Sequence, residues 1–260
     1  MWPSRAPERM FIDGLEDAYD KGRLMGTYAE DTAQHYQFTR DEQDSYAIES
    51  LRRAKAANED GSFANEIAPV SVKSRKGVTE VARDEQPFSA DLAKIPTLKP
   101  AFREGGTVTP ANSSSISDGG AALVMMRESE AIRRKLQPLA RIVAQSSHAQ
   151  APAWFTTAPI GAIKKVLEAT GWRASDVGLY EINEAFAVVT MAAMRDLDLP
   201  HDKVNVHGGA CALGHPVGAS GTRIIVTLLN AMAKRGETKG IASLCIGGGE
   251  ATAVAIERFA

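Results

Sequence analysis

Two of the five histidines and one of the two cysteines of this chain fall inside one glycine-rich stretch, NVHGGACALGHPVGASGTRI, residues 205–224. His215 stands between Gly214 and Pro216. A proline disfavours helix for the residue before it, so the imidazole projects from a fixed, non-helical backbone; taken alone, a loop histidine is more often structural or exposed than an acid–base group. His207 has the same ambiguity and less rigid flanks. Cys245 closes the apolar run SLCI and precedes three glycines. A thiol at a strand end, beside backbone N–H groups that can approach a ligand, has the layout of a reacting site. The alternative is a small buried hydrophobe, and for Cys211 that reading suffices. Asn183 ends another strand-like run and begins EAF. It reads either as a helix cap or, beside a histidine and a cysteine from two other loops, as a residue that orients a water.

Other chemistries fail on context. GHPVGASG lacks the Lys-Ser/Thr ending of a triphosphate-binding loop, and GGGEAT leads into another strand rather than a helix. Two cysteines and scattered histidines have no metal-ligand spacing. The basic run KSRKG, residues 73–77, could meet phosphates, but the better reading is a solvated turn. A formal net charge of -2 gives no general nucleic-acid footprint. Hydrophobic and charged fractions of 44% and 24% are those of a globular chain, and 260 residues are enough for one large core or two smaller ones. The opening MWPSRAPERM carries no apolar signal segment, no run is long and apolar enough to span a membrane, and two cysteines make no disulfide framework. The expectation is a cytoplasmic protein.

The elements that must position these residues are legible from periodicity and caps. The first nine residues read as an unanchored start, and 11–37 as two short helices broken near GRLMG. Thr39 and Glu42 form a capping-box pattern opening a helix that carries Tyr46, Ile48, Leu51 and Ala54 on one face, with Gly61 past its end. Residues 66–110 are rich in Pro, Gly and charge, with short strand-like pieces such as APVSV. From about residue 119 the texture becomes layered. GAALVMM, PLARIVAQS, VGLYEIN, GIASLCIGGG and ATAVAIERF read as strands, with helices at ESEAIRRKL, PIGAIKKVLEATG, EAFAVVTMAAMRDL and GASGTRIIVTLLNAMAKRG. In the last helix Ile225, Leu228, Leu229 and Met232 fall at core spacing. Strands alternating with helices predict an α/β fold with a mixed sheet, preceded by a helix-and-loop region.

Three motifs in order, NEAFA at 183–187, GGACALGHPVGASG at 208–221 and CIGGG at 245–249, resemble the thiolase family, in its acetyl-CoA acetyltransferase (β-ketothiolase) branch. DGLEDAYDKGRLMGTYAED at 13–31 and GTVTPANSSSISDGGAA at 106–122 resemble it too. The resemblance implies a Claisen condensation between acyl-CoA thioesters of the kind used in fatty acid metabolism, or its reversal by thiolysis. Coenzyme A is then substrate and product, with no further cofactor and no metal. It implies that His215 activates the nucleophilic thiol and polarises the thioester oxygen, that Asn183 holds the water completing that oxyanion site, that Cys245 is the acid/base for the α-proton, and that Gly247 is a backbone donor to a second oxyanion hole. A nearby imidazole is expected to help depress the Cys245 pKa. Leu24 and Met25 match the loop over the acyl pocket, Phe102, Pro110, Ser114 and Ile116 the pantetheine channel, and Ala185 and Phe186 its inner wall. By the same resemblance 1–116 is a loop and tetramerisation domain, 117–137 a remnant of an N-terminal half-domain, and 138–260 the C-terminal thiolase half-domain, of thiolase-like layered mixed sheet and helices; the assembly is a homotetramer.

The resemblance also exposes departures. The family nucleophile lies in an N-terminal half, and no cysteine precedes residue 211 here. The chain is therefore expected to be N-terminally truncated, with the missing half either lost upstream or carried by a separate chain; otherwise it is a catalytically incomplete CoA-binding or oligomerising fragment. Pro110 replaces a small residue, Leu24 stands where some members carry histidine, and DEQPFSADLAK replaces a stretch where some carry an arginine. These three changes bear on CoA affinity and chain-length preference.

Overall fold

The computed structural model describes residues 11–75 and 77–259, and the reading of the first nine residues lies outside them. Helix α1, Met25–Tyr36, and helix α2, Arg40–Glu59, are joined through Gln37 in the left-handed conformation, φ 55°. In α2 the capping box forms as predicted: Thr39 N–H donates to Glu42 Oε2 at 2.7 Å, and Glu42 N–H to Thr39 Oγ1 at 3.2 Å. Its buried stripe is Tyr46, Ala47, Ser50, Leu51 and Ala54, with Ile48 only partly covered. The first of the two predicted short helices is instead a five-residue π-helical turn, Phe11–Leu15, with no buried residue. The Asp17 carboxylate accepts from the N–H groups of Tyr19 and Asp20 at 2.8 and 2.6 Å. Such local bonds hold the backbone in a turn and compete with helix.

Strands β1, Val70–Ser74, and β2, Gly77–Val81, form an antiparallel hairpin exposed along both strands, with Lys73 and Ser74 of the basic run at the end of β1 and Gly77 at the start of β2. The short helix α3, Gln86–Ser89, follows. Residues 119–127 form no strand, contrary to the reading of GAALVMM. Among the described residues no strand pairs with them, and an apolar run without a partner strand has nowhere to place its backbone hydrogen bonds. Val124 and Met125 are 89% and 72% exposed. Helix α4, Glu128–Arg133, leads into the layered region.

That region is a four-stranded mixed sheet ordered β3-β6-β5-β4, where β3 is Ala140–Ala149, β4 Leu179–Ile182, β5 Lys239–Ile246 and β6 Glu250–Arg258. β3–β6 and β6–β5 are antiparallel, and β5–β4 is parallel. Period-2 alternation sends Ile241 and Cys245 of β5 to one face and Ala242 and Leu244 to the other. Helices α5, Ala158–Thr170, and α6, Ala187–Asp196, cover the first face and share its core with Met25 and Tyr28 of α1. A four-residue helix α7, Ala210–Leu213, sits in the glycine loop, and α8, Ser220–Arg235, covers the second face. Its deepest residues are Ile224, Leu228, Ala231 and Met232; Ile225 and Leu229, predicted for the core, flank the stripe half-buried. The helix is thus rotated by about one position from the prediction.

Candidate active site

His215 is held on three sides. Its backbone N–H donates to Ser115 O at 3.0 Å, and Ile116 pairs with it in a parallel bridge. Gly214 makes that approach possible: it sits at φ +86°, and a side chain there would run into Ser117. The ring nitrogens then fix the tautomer. Ser220 Oγ, 2.6 Å from Nδ1, spends its own hydrogen on Pro216 O at 3.1 Å. With its hydrogen on Pro216 O it accepts from Nδ1–H, the arrangement that also lets Nε2 accept from the Asn183 amide. Nε2 is left with a lone pair that faces the Asn183 amide nitrogen at 3.4 Å. Burial, reinforced by the positive charge of Arg223, pushes the imidazole pKa down to about 4. His215 is a neutral base at ordinary pH.

Asn183 links this base to the second thiol. Its backbone N–H donates to Ser243 O at 3.0 Å, two residues before Cys245 on the same strand. Its side-chain Oδ1 is buried without a protein partner. Cys245 is 8% exposed and packs in one cluster with Met25, Phe155, Ala185 and Phe186. Burial raises its thiol pKa to about 12. The expected depression is absent: desolvation of the buried thiol disfavours the thiolate. The β5–β6 turn holds Gly247, Gly248 and Gly249, and Gly249, at φ +96°, packs on the backbone of Gln150. A Cβ on Gly247 would meet Met25 Sδ at 3.0 Å, which places the turn beside the start of α1.

The apolar wall assembles from three segments. The Phe102 and Phe186 rings meet edge to face at 5.9 Å, and Phe102 lies against Gly26. Ser114 donates to Ala185 O at 3.0 Å from both its N–H and its Oγ. Leu24 caps α1 next to Met25, and Ile116 lies at the His215 bridge, 54% exposed. Pro110 sits elsewhere, lining a cavity of about 330 Å³ with Leu51, Gln86, Lys94, Ala111 and Cys211. Cys211 packs with Tyr46 and Ala187, and burial drives its pKa well above the ordinary value, in keeping with a packing role.

Comparison with known proteins decides the family. Family models of the thiolase N-terminal domain and the thiolase C-terminal domain match residues 4–129 and 136–258. The chain belongs to the thiolase family. Thiolases are 48% identical over 95% and 97% of the chain in a probable acetyl-CoA acetyltransferase of Dictyostelium discoideum and an acetyl-CoA acetyltransferase of Rhizobium meliloti (strain 1021). The chain spans 60% and 64% of the length of those relatives. The crystal structure of the Bacillus anthracis acetyl-CoA acetyltransferase superposes on 96% of this thiolase chain, and 64% of its own, with TM-score 0.93 at 43% identity. A thiolase from Ascaris suum, solved with coenzyme A, superposes with TM-score 0.90 at 40% identity, covering 96% of this chain and 64% of its own. The mixed sheet and its helices are thus the thiolase fold.

Several residues of this thiolase site escaped the sequence reading. Ser220, which sets the His215 tautomer, lies in the glycine loop and was read only as helix start. Glu184 is fully buried and accepts from Tyr46 Oη at 2.8 Å, Ser50 Oγ at 2.7 Å, Asn205 Nδ2 at 2.9 Å and Cys211 N–H at 3.1 Å. It pins α2 to the loop that carries Asn183 and to the glycine loop. Glu181 in the buried strand LYEI was the available signal for a further polar cluster, since a carboxylate inside such a strand is unusual.

Proposed function

We propose that this chain supplies the base, oxyanion and acyl-pocket side of a thiolase acyltransferase that makes or cleaves 3-oxoacyl-CoA, acetoacetyl-CoA being the simplest case. One observation carries the reading: Nε2 of His215 meets the Asn183 amide nitrogen at 3.4 Å, and Asn183 is tied through Ser243 to the strand of Cys245. In this mechanism Nε2 takes the proton of an attacking thiol. That thiol accepts the acyl group from an acyl-CoA, and CoA leaves as its thiol. The unpartnered Asn183 Oδ1 supports a bound water at the thioester oxygen. In the cleavage direction the protonated Cys245 thiol donates to the enolate leaving as acetyl-CoA, which suits a thiol kept protonated by burial. In the condensing direction Cys245 first loses its proton to solvent, and its thiolate then removes the α-proton, which restores the thiol. The enolate attacks the acyl-thioester carbonyl, and the nucleophile's sulfur departs with the bonding pair and takes a proton back from solvent.

The nucleophile is proposed to come from the other thiolase half, joined upstream or carried by a separate chain, because the two cysteines of this sequence are both buried and driven away from the thiolate form. That same fact favours a second reading, an acyl-CoA-binding and oligomerising chain without turnover. The remaining proposals are a homotetrameric assembly and a cytoplasmic location; a 48% identical mouse relative is described as cytosolic, and among the described residues no helix is long and apolar enough to cross a membrane. The chemistry as proposed draws on CoA as substrate and product alone.

The test is thiolysis of acetoacetyl-CoA with free CoA, by the purified chain alone and mixed with a chain bearing a thiolase N-terminal half. Turnover only in the mixture, abolished by His215→Ala, is the expected result. Calorimetric binding of acetoacetyl-CoA with no turnover in either sample selects the second reading. No heat and no turnover refute both.

A further inference from the structure

The glycine loop breaks a helix just before His215, and a side chain from another segment fills the break. Helix α7 bonds as far as Gly214, whose N–H donates to Ala210 O at 2.9 Å. One more helical bond would join His215 N–H to Cys211 O. That bond is replaced. His215 N–H donates instead to Ser115 O at 3.0 Å, and Cys211 O accepts from the side-chain amide of Gln86 at 2.9 Å. The two replacements are connected, because Ser115 Oγ donates to Gln86 Oε1 at 2.7 Å. A carbonyl can only accept, so the nitrogen of the Gln86 amide faces Cys211 and its oxygen faces Ser115. Gln86 opens α3, which is seated by the buried Pro87. The proposed chemistry leaves this glutamine unused.

We propose that Gln86 is a positioning residue for His215: through Ser115 and Cys211 it takes the place of the hydrogen bond that would carry α7 one residue further, and so holds the imidazole out of the helix and against Asn183. Pro216 disfavours helical backbone at His215, but it gives no partner to the Cys211 carbonyl or the His215 N–H; Gln86 and Ser115 do. The segment that Gln86 grips is a crossbar between the two sides of the site. Ser113 bridges to Phe186, Ser114 N–H donates to Ala185 O at 3.0 Å, and Ile116 bridges to His215. Ala185 N–H in turn donates to Asn183 O at 3.0 Å. Asn183 and His215 are therefore both registered on residues 113–116. The fit is close on the glycine side too: Ser115 Oγ lies 3.0 Å from Ser117 Oγ, and a Cβ on Gly214 would meet both hydroxyls. This role rests on the reading of His215 as the base; its test reads ring and amide signals rather than turnover, so the two can fail separately.

The experiment is nitrogen-15 NMR of the full chain, following the His215 backbone N–H by hydrogen exchange and its ring nitrogens by long-range coupling, with the signals assigned by His215→Gln. In the parent the N–H is expected to be protected, and the ring to be the Nδ1–H tautomer with Nε2 accepting a hydrogen bond. Gln86→Met keeps the length of the side chain and removes both of its bonds. It is expected to speed exchange at His215 by about tenfold or more while the amides of β5 keep the parent's rates, and to move the Nε2 signal toward that of an unbonded lone pair. Ser115→Ala is expected to move the same signals in the same direction, and the double variant to go no further than Gln86→Met alone. Exchange and ring signals unchanged in Gln86→Met overturn the proposal, as do fully additive effects in the double variant. Should Gln86→Met unfold, or loosen β5 as well, Ser115→Ala decides alone: it removes the hydroxyl link and leaves the backbone bonds, and an unchanged Nε2 signal in it overturns the proposal.

Discussion

Removing the Glu184 carboxylate tests the joint between the helix-and-loop region and the layered region. In Glu184→Ala four donors lose their acceptor. Asn205 Nδ2 keeps a bond of 2.8 Å to Ile182 O. The Tyr46 hydroxyl, the Ser50 hydroxyl and the Cys211 N–H donate only to Glu184 among the described bonds. A buried donor left unpaired costs about 1–3 kcal/mol. Two of the three are hydroxyls that can turn toward other acceptors, so the loss is about 3–5 kcal/mol, a large share of a typical domain's stability. Glu184→Gln is milder for a geometric reason. One carboxylate oxygen accepts from the Tyr46 hydroxyl and the Asn205 amide, the other from the Ser50 hydroxyl and the Cys211 N–H. Whichever oxygen becomes NH2, the hydroxyl beside it can reverse and accept, whereas the N–H beside it cannot. One donor is orphaned, for about 1–2 kcal/mol. Urea unfolding measures both values, and amide exchange over residues 40–59 locates the loosening, since Tyr46 and Ser50 sit on that helix. A Glu184→Ala protein within about 1 kcal/mol of the parent, or a Gln variant as unstable as Ala, would refute this account of the network.

Two further outcomes follow from the same structure. Cys245 and Cys211, buried and with pKa values driven up, are expected to react with iodoacetamide at least about a hundredfold more slowly than a free cysteine at pH 8, while urea-unfolded chain labels fully; mass spectrometry after timed quenching decides, and fast labelling of Cys245 would show an accessible thiolate. Glu181 holds its proton to about pH 8 in the folded chain, against an ordinary value of 4.5. The folded state binds more protons in that window, so the stability this carboxyl contributes is full below about 4.5 and is lost as pH rises to about 8. Glu181→Gln removes this dependence, and its stability relative to the parent is expected to grow by roughly 2–4 kcal/mol from pH 5 to pH 8. Parallel stability–pH curves in urea would count against a protonated Glu181.

Local chemistry made much of this thiolase readable from the chain. The Thr39–Glu42 box, the proline near the start and the glycine at the end of the 158–170 helix, and the alternation of SLCI and ATAVAI are encoded within a few residues of where they act. So are Gly208 and Gly214 beside His215 and Gly249 after Cys245, because a left-handed turn selects its own residue type. Tertiary structure decided whatever depends on a neighbour distant in the chain. GAALVMM has strand composition but no partner strand among the described residues, so it forms no strand and stays largely exposed. Periodicity placed the core face of α8 one position away, because packing on β4 and β5 chooses among adjacent stripes. The raised pKa of Cys245 follows from burial, which no spacing in the sequence records. The His215 tautomer rests on where Ser220 sends its hydrogen, and Glu184 binds donors lying 21 to 138 residues away along the chain. Residue types set which groups can do chemistry; desolvation and long-range hydrogen bonds, which exist only in the folded chain, set their charge and direction.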